Sequence, residues 1–231
     1  WSRPAFQVSQ KREGRFFDRR HQMELHQILG RQKWQSGRQV FLLNNPKRHR
    51  KKYQKTAREM KLKYLNHYPA QIQAQVVGLI EKNKLSSYLL EKYPKSHNFK
   101  TDKNLFAYTS EIKNEYMKKS APLSKTVYDG KINVIHNALG THHFVSRVQG
   151  NKLKAKNEIR VSSMFKSVPE EFLQMIVVHE LAHFKEKEHD KAFYKLCEHM
   201  QPRYHQAEFD LRVYLTHVEM IGKLEEWTKI F

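Results

Sequence analysis

From Ala70 onward the apolar residues fall into a helical period. Ile72, Val76, Val77, Leu79 and Ile80 recur three and four apart through Ala70–Asn83. Leu85–Tyr93 predicts a second, short helix that stops before Pro94. Leu105–Lys119 predicts a third, with Leu105, Tyr108, Ile112 and Tyr116 on one face. The period then drops to two: Lys131–His136 alternates around Ile132, Val134 and His136, and His143–Val148 around Phe144, Ser146 and Val148. Gly140 lies between them, so Asn137–His142 predicts the loop of a hairpin. Glu158–Phe165 predicts a third strand, reached through the polar stretch Gln149–Asn157. Helical signals return at Ser167-Val168-Pro169-Glu170, which has the form of a capping box with proline in the first turn. That helix is expected to reach Lys187. Asp190 is placed to cap the next, Lys191–Met200, and Pro202 opens a last long one.

Residues 1–59 have little periodicity, and charge separates them from the rest. They carry 16 Lys/Arg against 4 Asp/Glu, a net of +12 out of the chain's +20. We expect a basic, disordered extension there, followed by one domain over 60–231. Met60 is an alternative start, which would make residues 1–59 non-native. The run Lys47–Lys52 is suited to non-specific contact with nucleic-acid phosphates, although a solvated tail explains it equally simply. The most apolar stretch, Phe172–Phe184, already contains His179, Glu180 and His183, so no membrane span is predicted. Cys197 is the only cysteine, which excludes an internal disulfide framework. With no secretory signal pattern at the start of the sequence, the expected compartment is the reducing cytoplasm.

The chemistry is concentrated in the helix after Pro169. His179-Glu180-Leu181-Ala182-His183 is the H-E-x-x-H pattern. Four residues advance a helix by about 400° and 6 Å, so both imidazoles share one face and can hold one ion. Counting back from His179 gives Ile176 and Phe172, so the ligand face continues an apolar stripe into the interior. Three polar residues buried there without partners would be costly, which weighs against a chance match. Neutral imidazoles suit zinc, and two leave a third protein position to fill. A chain that turns after Lys187 can bring His189 back to it. Glu180 then stands where a carboxylate takes a proton from zinc-bound water, whose pKa the metal lowers to about 7.

His179-Glu180-x-x-His183 followed by His189 and by Lys191-Ala192-Phe193-Tyr194 resembles the YgjP-like and SprT-like zinc metallopeptidases, most closely the YgjP-like branch. Ser146-Arg147 and the strand Ile159-Arg160-Val161 fit that resemblance, although Val148-Gln149-Gly150-Asn151 stands where many relatives have Trp-Gly-Ser-Cys. The resemblance covers about Met60 to Val218. It implies an α+β, minigluzincin-like fold, in which a small antiparallel or mixed sheet packs on the active-site helix between N- and C-terminal helices. It also implies His179, His183 and His189 as zinc ligands, Glu180 as general base, and a peptide or protein substrate.

An extended peptide is expected to pair with an edge strand near Ile159–Met164. His199, Tyr204, His205 and Arg147 are candidates for stabilising an oxyanion, and the Glu186 and Glu198 carboxylates for steadying a ligand imidazole. Two other classes stand beside the peptidase. One is a metal-dependent hydrolase of nucleotide phosphoanhydrides, with Lys152, Lys154, Lys156 and Arg160 gripping phosphates. The other binds nucleic acid, either as a SprT-like protease acting on DNA-bound proteins or as a non-catalytic protein with structural zinc. A structural zinc usually has four protein ligands, and only three are found here.

Overall fold

The computed structural model describes residues 62–132, 140–149 and 152–228, with segments 141–149 and 152–156 described as backbone. The expected extension 1–59, the basic run Lys47–Lys52 and most of the expected strand Lys131–His136 lie outside these residues. The elements in chain order are α1 (Ala70–Glu81), α2 (Leu85–Lys92), α3 (Asp102–Tyr116), β1 (Leu123–Asp129), β2 (Gly140–Gln149), β3 (Lys152–Ser162), a 3-10 turn (Ser163–Ser167), α4 (Glu170–Ala182), α5 (Lys191–Met200), α6 (Tyr204–Met220) and α7 (Glu225–Thr228). The chain divides into two units. The first comprises residues up to Leu89 and Arg212–Ile221, and the second Leu90–Leu211 and Gly222–Phe231. Among the described residues no helix is long and apolar enough to cross a membrane.

In the first unit, α1 buries Ile72, Val76 and Ile80, the stripe its spacing predicts. Ser86 Oγ meets His217 Nε2 at 2.7 Å there. The second unit holds the sheet and the H-E-x-x-H helix. At its start Thr101 caps α3, accepting the Asn104 N–H at 3.2 Å. Asp102 in the first turn accepts the Tyr128 N–H at 2.9 Å, which ties β1 to the head of that helix.

The sheet is mixed and three-stranded, in the order β1-β3-β2. β1 runs parallel to β3, with Thr126 opposite Ile159 and Tyr128 opposite Val161. β2 runs antiparallel to β3, with Arg147 opposite Lys154 and Gly140 opposite Val161. Three expectations are corrected here. β2 begins at Gly140, inside the expected hairpin loop Asn137–His142; its described antiparallel partner is β3, and most of the partner expected from the sequence, Lys131–His136, lies outside the described residues. The third strand ends at Ser162, and Ser163–Ser167 is a 3-10 turn that buries Phe165. Finally, β3 is paired on both sides, so Ile159–Ser162 offers no free edge to a peptide. β2 is an edge strand among the described residues.

α4 packs against β2, β3 and α5. It buries Phe172, Leu173, Met175, Ile176, Val177, Val178, Leu181 and Ala182, nearly its whole circumference, which makes it the central helix of this unit. Each large side chain among these contributes about 1.5–3 kcal/mol by leaving water. The capping box does not form. Pro169 is the N-cap without a side-chain bond, and its carbonyl accepts the Phe172 and Leu173 N–H groups. Glu170 meets the Tyr108 hydroxyl instead, and with Glu171 it suits the positive end of the helix dipole.

His97 fastens the approach to α4. Its Nδ1 accepts the Phe99 N–H at 3.0 Å, its Nε2 donates to the Phe165 carbonyl at 2.6 Å, and its own N–H donates to the Val168 carbonyl at 3.1 Å. A second ring proton would break the Phe99 bond. Burial, reinforced by the nearby Lys100 charge, accordingly lowers the His97 pKa to about 4. The unfolded chain takes up that proton near pH 6.5 and the folded one does not, so stability is full above that pH and falls between about 6.5 and 4. The expected loss by pH 4 is about 3 kcal/mol. Urea unfolding at a series of pH values checks this, and a His97→Gln variant should show a shallower decline over that window.

Candidate metal centre

α4 delivers His179 and Glu180 from its last turn and ends at Ala182, with His183 as its C-cap. The helix stops five residues short of the expected Lys187. Tight bonds from Phe184 N–H to Leu181 O, and from the Lys185 and Glu186 N–H groups to Ala182 O, then turn the chain sharply. That turn returns His189 to the helix end. Asp190 starts α5 immediately afterwards, its carboxylate accepting the Ala192 and Phe193 N–H groups at 2.8 and 3.0 Å, as expected.

The three imidazoles converge. His189 Nε2 lies 3.1 Å from His179 Nε2 and 3.2 Å from His183 Nε2. Their outer nitrogens are engaged elsewhere: His179 Nδ1 meets the Tyr204 hydroxyl at 2.8 Å, and His183 Nδ1 the Glu186 carbonyl at 3.1 Å. A carbonyl only accepts, so His183 carries its proton on Nδ1 and turns a bare Nε2 lone pair inward. Phe193, fully buried on α5, lies against all three rings, with centroid distances of 4.9, 4.8 and 4.7 Å to His179, His183 and His189. It is an apolar support common to the three.

The donor set fits a divalent ion. One ion bonded to three imidazole nitrogens at about 2.0–2.1 Å holds them about 3.3 Å apart, close to the spacing already present. A single proton shared between two nitrogens would leave the third unserved. Burial lowers the pKa of His183 and of His189, which keeps both rings neutral and able to ligate; the His189 charge adds to the effect on His183.

Glu180 is only 4% exposed. Desolvation raises its pKa to about 8. A positive charge at the triad opposes that shift and favours the carboxylate. The first residue of β2 closes over it: a Cβ on Gly140 would stand 2.7 Å from Glu180 Oε1. Only glycine leaves the carboxylate where it is.

A family model for the YgjP-like metallopeptidase domain matches residues 142–214. A protein of Escherichia coli K12 named UTP pyrophosphatase is 55% identical over 159 residues, which cover 69% of this chain and 95% of that relative. The chain belongs to the YgjP-like family. No solved structure matches it. Membership makes it a hydrolase of a metal-dependent kind, and the histidine triad is a group that can hold a metal.

In this YgjP-like protein the other expected participants are placed differently. Tyr204 is buried and its hydroxyl faces the outer nitrogen of His179, so it is not the oxyanion partner considered from sequence. His199 lies edge-on to Tyr116, and His205 sits between Glu198 and Glu208, at 3.4 and 3.9 Å. The Glu198 carboxylate therefore serves His205, and Glu186 steadies His183 through its carbonyl and not its carboxylate. Arg160 reaches Asp129 at 3.1 Å and Glu158 at 3.9 Å. Strand alternation puts it on the sheet face opposite Ile159 and Val161, away from the Gly140–Glu180 contact. It does not reach toward the triad as a phosphate grip. The side chains of Arg147, Lys152, Lys154 and Lys156 lie outside what the structure describes.

Gly140 was legible only as a loop glycine, because close approach of a strand end to a helix leaves no local mark.

Proposed function

We propose that this protein is a zinc-dependent nucleoside triphosphate pyrophosphatase, with UTP as the first substrate to test. Its catalytic domain would lie within residues 60–231. The observation that carries this reading is the 55% identity, over nearly the whole of the relative, to a UTP pyrophosphatase. His179, His183 and His189 would hold the ion. When bound there, it supplies Lewis acidity and lowers the pKa of water to about 7. Glu180, as carboxylate, takes a proton from the attacking water. The new oxygen–phosphorus bond forms as the bond to the bridging oxygen breaks, and monophosphate and pyrophosphate leave. A nucleotide substrate agrees with a cytoplasmic location and with a buried, unpaired Cys197.

Peptide hydrolysis is the second reading, favoured by the matching family model's description as a metallopeptidase domain. It loses the docking strand first expected for it, because β3 is central. Among the described strands, β1 and β2 are the edges to which a peptide would have to add.

The separating experiment supplies zinc-loaded protein with UTP, the other nucleoside triphosphates and a mixed peptide library in parallel. We expect pyrophosphate released one-for-one with monophosphate, and no new peptide termini. Peptide cleavage without nucleotide turnover would reverse the order of the two readings.

A further inference from the structure

We propose that Tyr204 is a positioning residue: its hydroxyl fixes the proton of His179 on Nδ1 and so presents the Nε2 lone pair to the triad. The inference rests on the reading that the triad holds a divalent ion.

The two ligands of α4 are oriented by different means. His183 donates to a carbonyl, and a carbonyl leaves no choice of proton position. His179 meets a phenol at 2.8 Å, and a phenol can either accept or donate. The direction decides whether the site works. If the phenol donated to Nδ1, the ring proton would move to Nε2 and close that position to a metal. If it accepts, Nε2 is free.

The surroundings set the direction. Tyr204 is 1% exposed, so water does not compete for its hydroxyl. That hydroxyl also lies within hydrogen-bonding reach of Cys197, a fully buried residue of α5. A thiol sulphur can take the phenolic proton as a weak acceptor. The chain of donation then runs from His179 Nδ1–H to the Tyr204 oxygen, and from Tyr204 O–H to the Cys197 sulphur. The Tyr204 and His179 rings lie nearly coplanar, 13° apart with centroids 6.5 Å apart, so the hydroxyl meets Nδ1 in the plane of the imidazole, where its N–H or lone pair points. Partners of this kind commonly govern metal affinity by ten- to a hundredfold.

The test uses the full chain, freed of metal and titrated with zinc against a chromophoric chelator. Wild type should bind about one zinc per chain. Tyr204→Phe keeps the buried ring and removes only the hydroxyl, and we expect its zinc affinity to fall by about ten- to a hundredfold, with the thermal midpoint of the metal-free protein nearly unchanged. Cys197→Ala, which removes the acceptor of the phenolic proton, should weaken zinc in the same direction but by less. In metal-free protein, side-chain nitrogen spectra should show His179 protonated on Nδ1 in wild type and as a tautomer mixture in Tyr204→Phe. Unchanged affinity and an unchanged tautomer in Tyr204→Phe would overturn the proposal. Absence of zinc binding by wild type would overturn the metal reading itself, and the nitrogen spectra would still report on Tyr204.

Discussion

Glu180→Gln is expected to abolish most of the hydrolysis while leaving the fold and the bound metal in place. Glutamine has the shape of glutamate and cannot take a proton, so the loss should be about 10²–10⁴-fold in kcat. The surroundings make the substitution clean. Glu180 is 4% exposed, its burial disfavours the charged form, and the substitution adds no volume beneath Gly140. A neutral amide at this position removes a desolvated ionisable group, so thermal stability should be kept or slightly raised. Turnover of UTP and metal content by mass spectrometry, measured on one preparation, check both halves. Activity within tenfold of wild type would take the base role away from Glu180.

The second large effect concerns His189. Its nitrogen stands within 3.2 Å of both partners, and it is the ligand supplied from outside α4. Without it, two histidines of one helix turn must hold the ion alone. We expect His189→Ala to lose zinc affinity by more than about a hundredfold, beyond the loss of an outer-sphere partner, with turnover falling in parallel at limiting zinc. The fold should survive, because the cap of α5 belongs to Asp190 and the core beneath to Phe193. Full zinc retention would show that the third ligand has been misassigned.

What was legible in the sequence divides along physical lines. The H-E-x-x-H spacing, the stripe through Ile176 and Phe172 and the Asp190 cap are local, and local rules read them. The return of His189 needed only a short turn. The helix end was misplaced because nothing in Phe184–Lys187 breaks a helix by composition; the turn is set by the bonds back to Leu181 and Ala182. β1 was missed because its buried positions are Thr126 and Tyr128, while Leu123 and Val127 are only half-buried, so hydropathy gives the wrong alternation. The antiparallel pairing of β2 with β3 was not read because several alternating stretches competed and register is decided by pairing across the sheet. The capping box is absent because the helix starts two residues later than its pattern requires, with Ser167 in the 3-10 turn and Pro169 as N-cap. The roles of Gly140 and Tyr204 come from contacts between elements distant in the chain, which no window of sequence contains.

The placement of Phe193 makes one side chain answerable for three. A single aromatic ring touches His179, His183 and His189 alike, and the helix that carries it is capped by the residue next to His189. A change at this core position would therefore reach every imidazole at once, so the core and the candidate ligand set cannot vary independently.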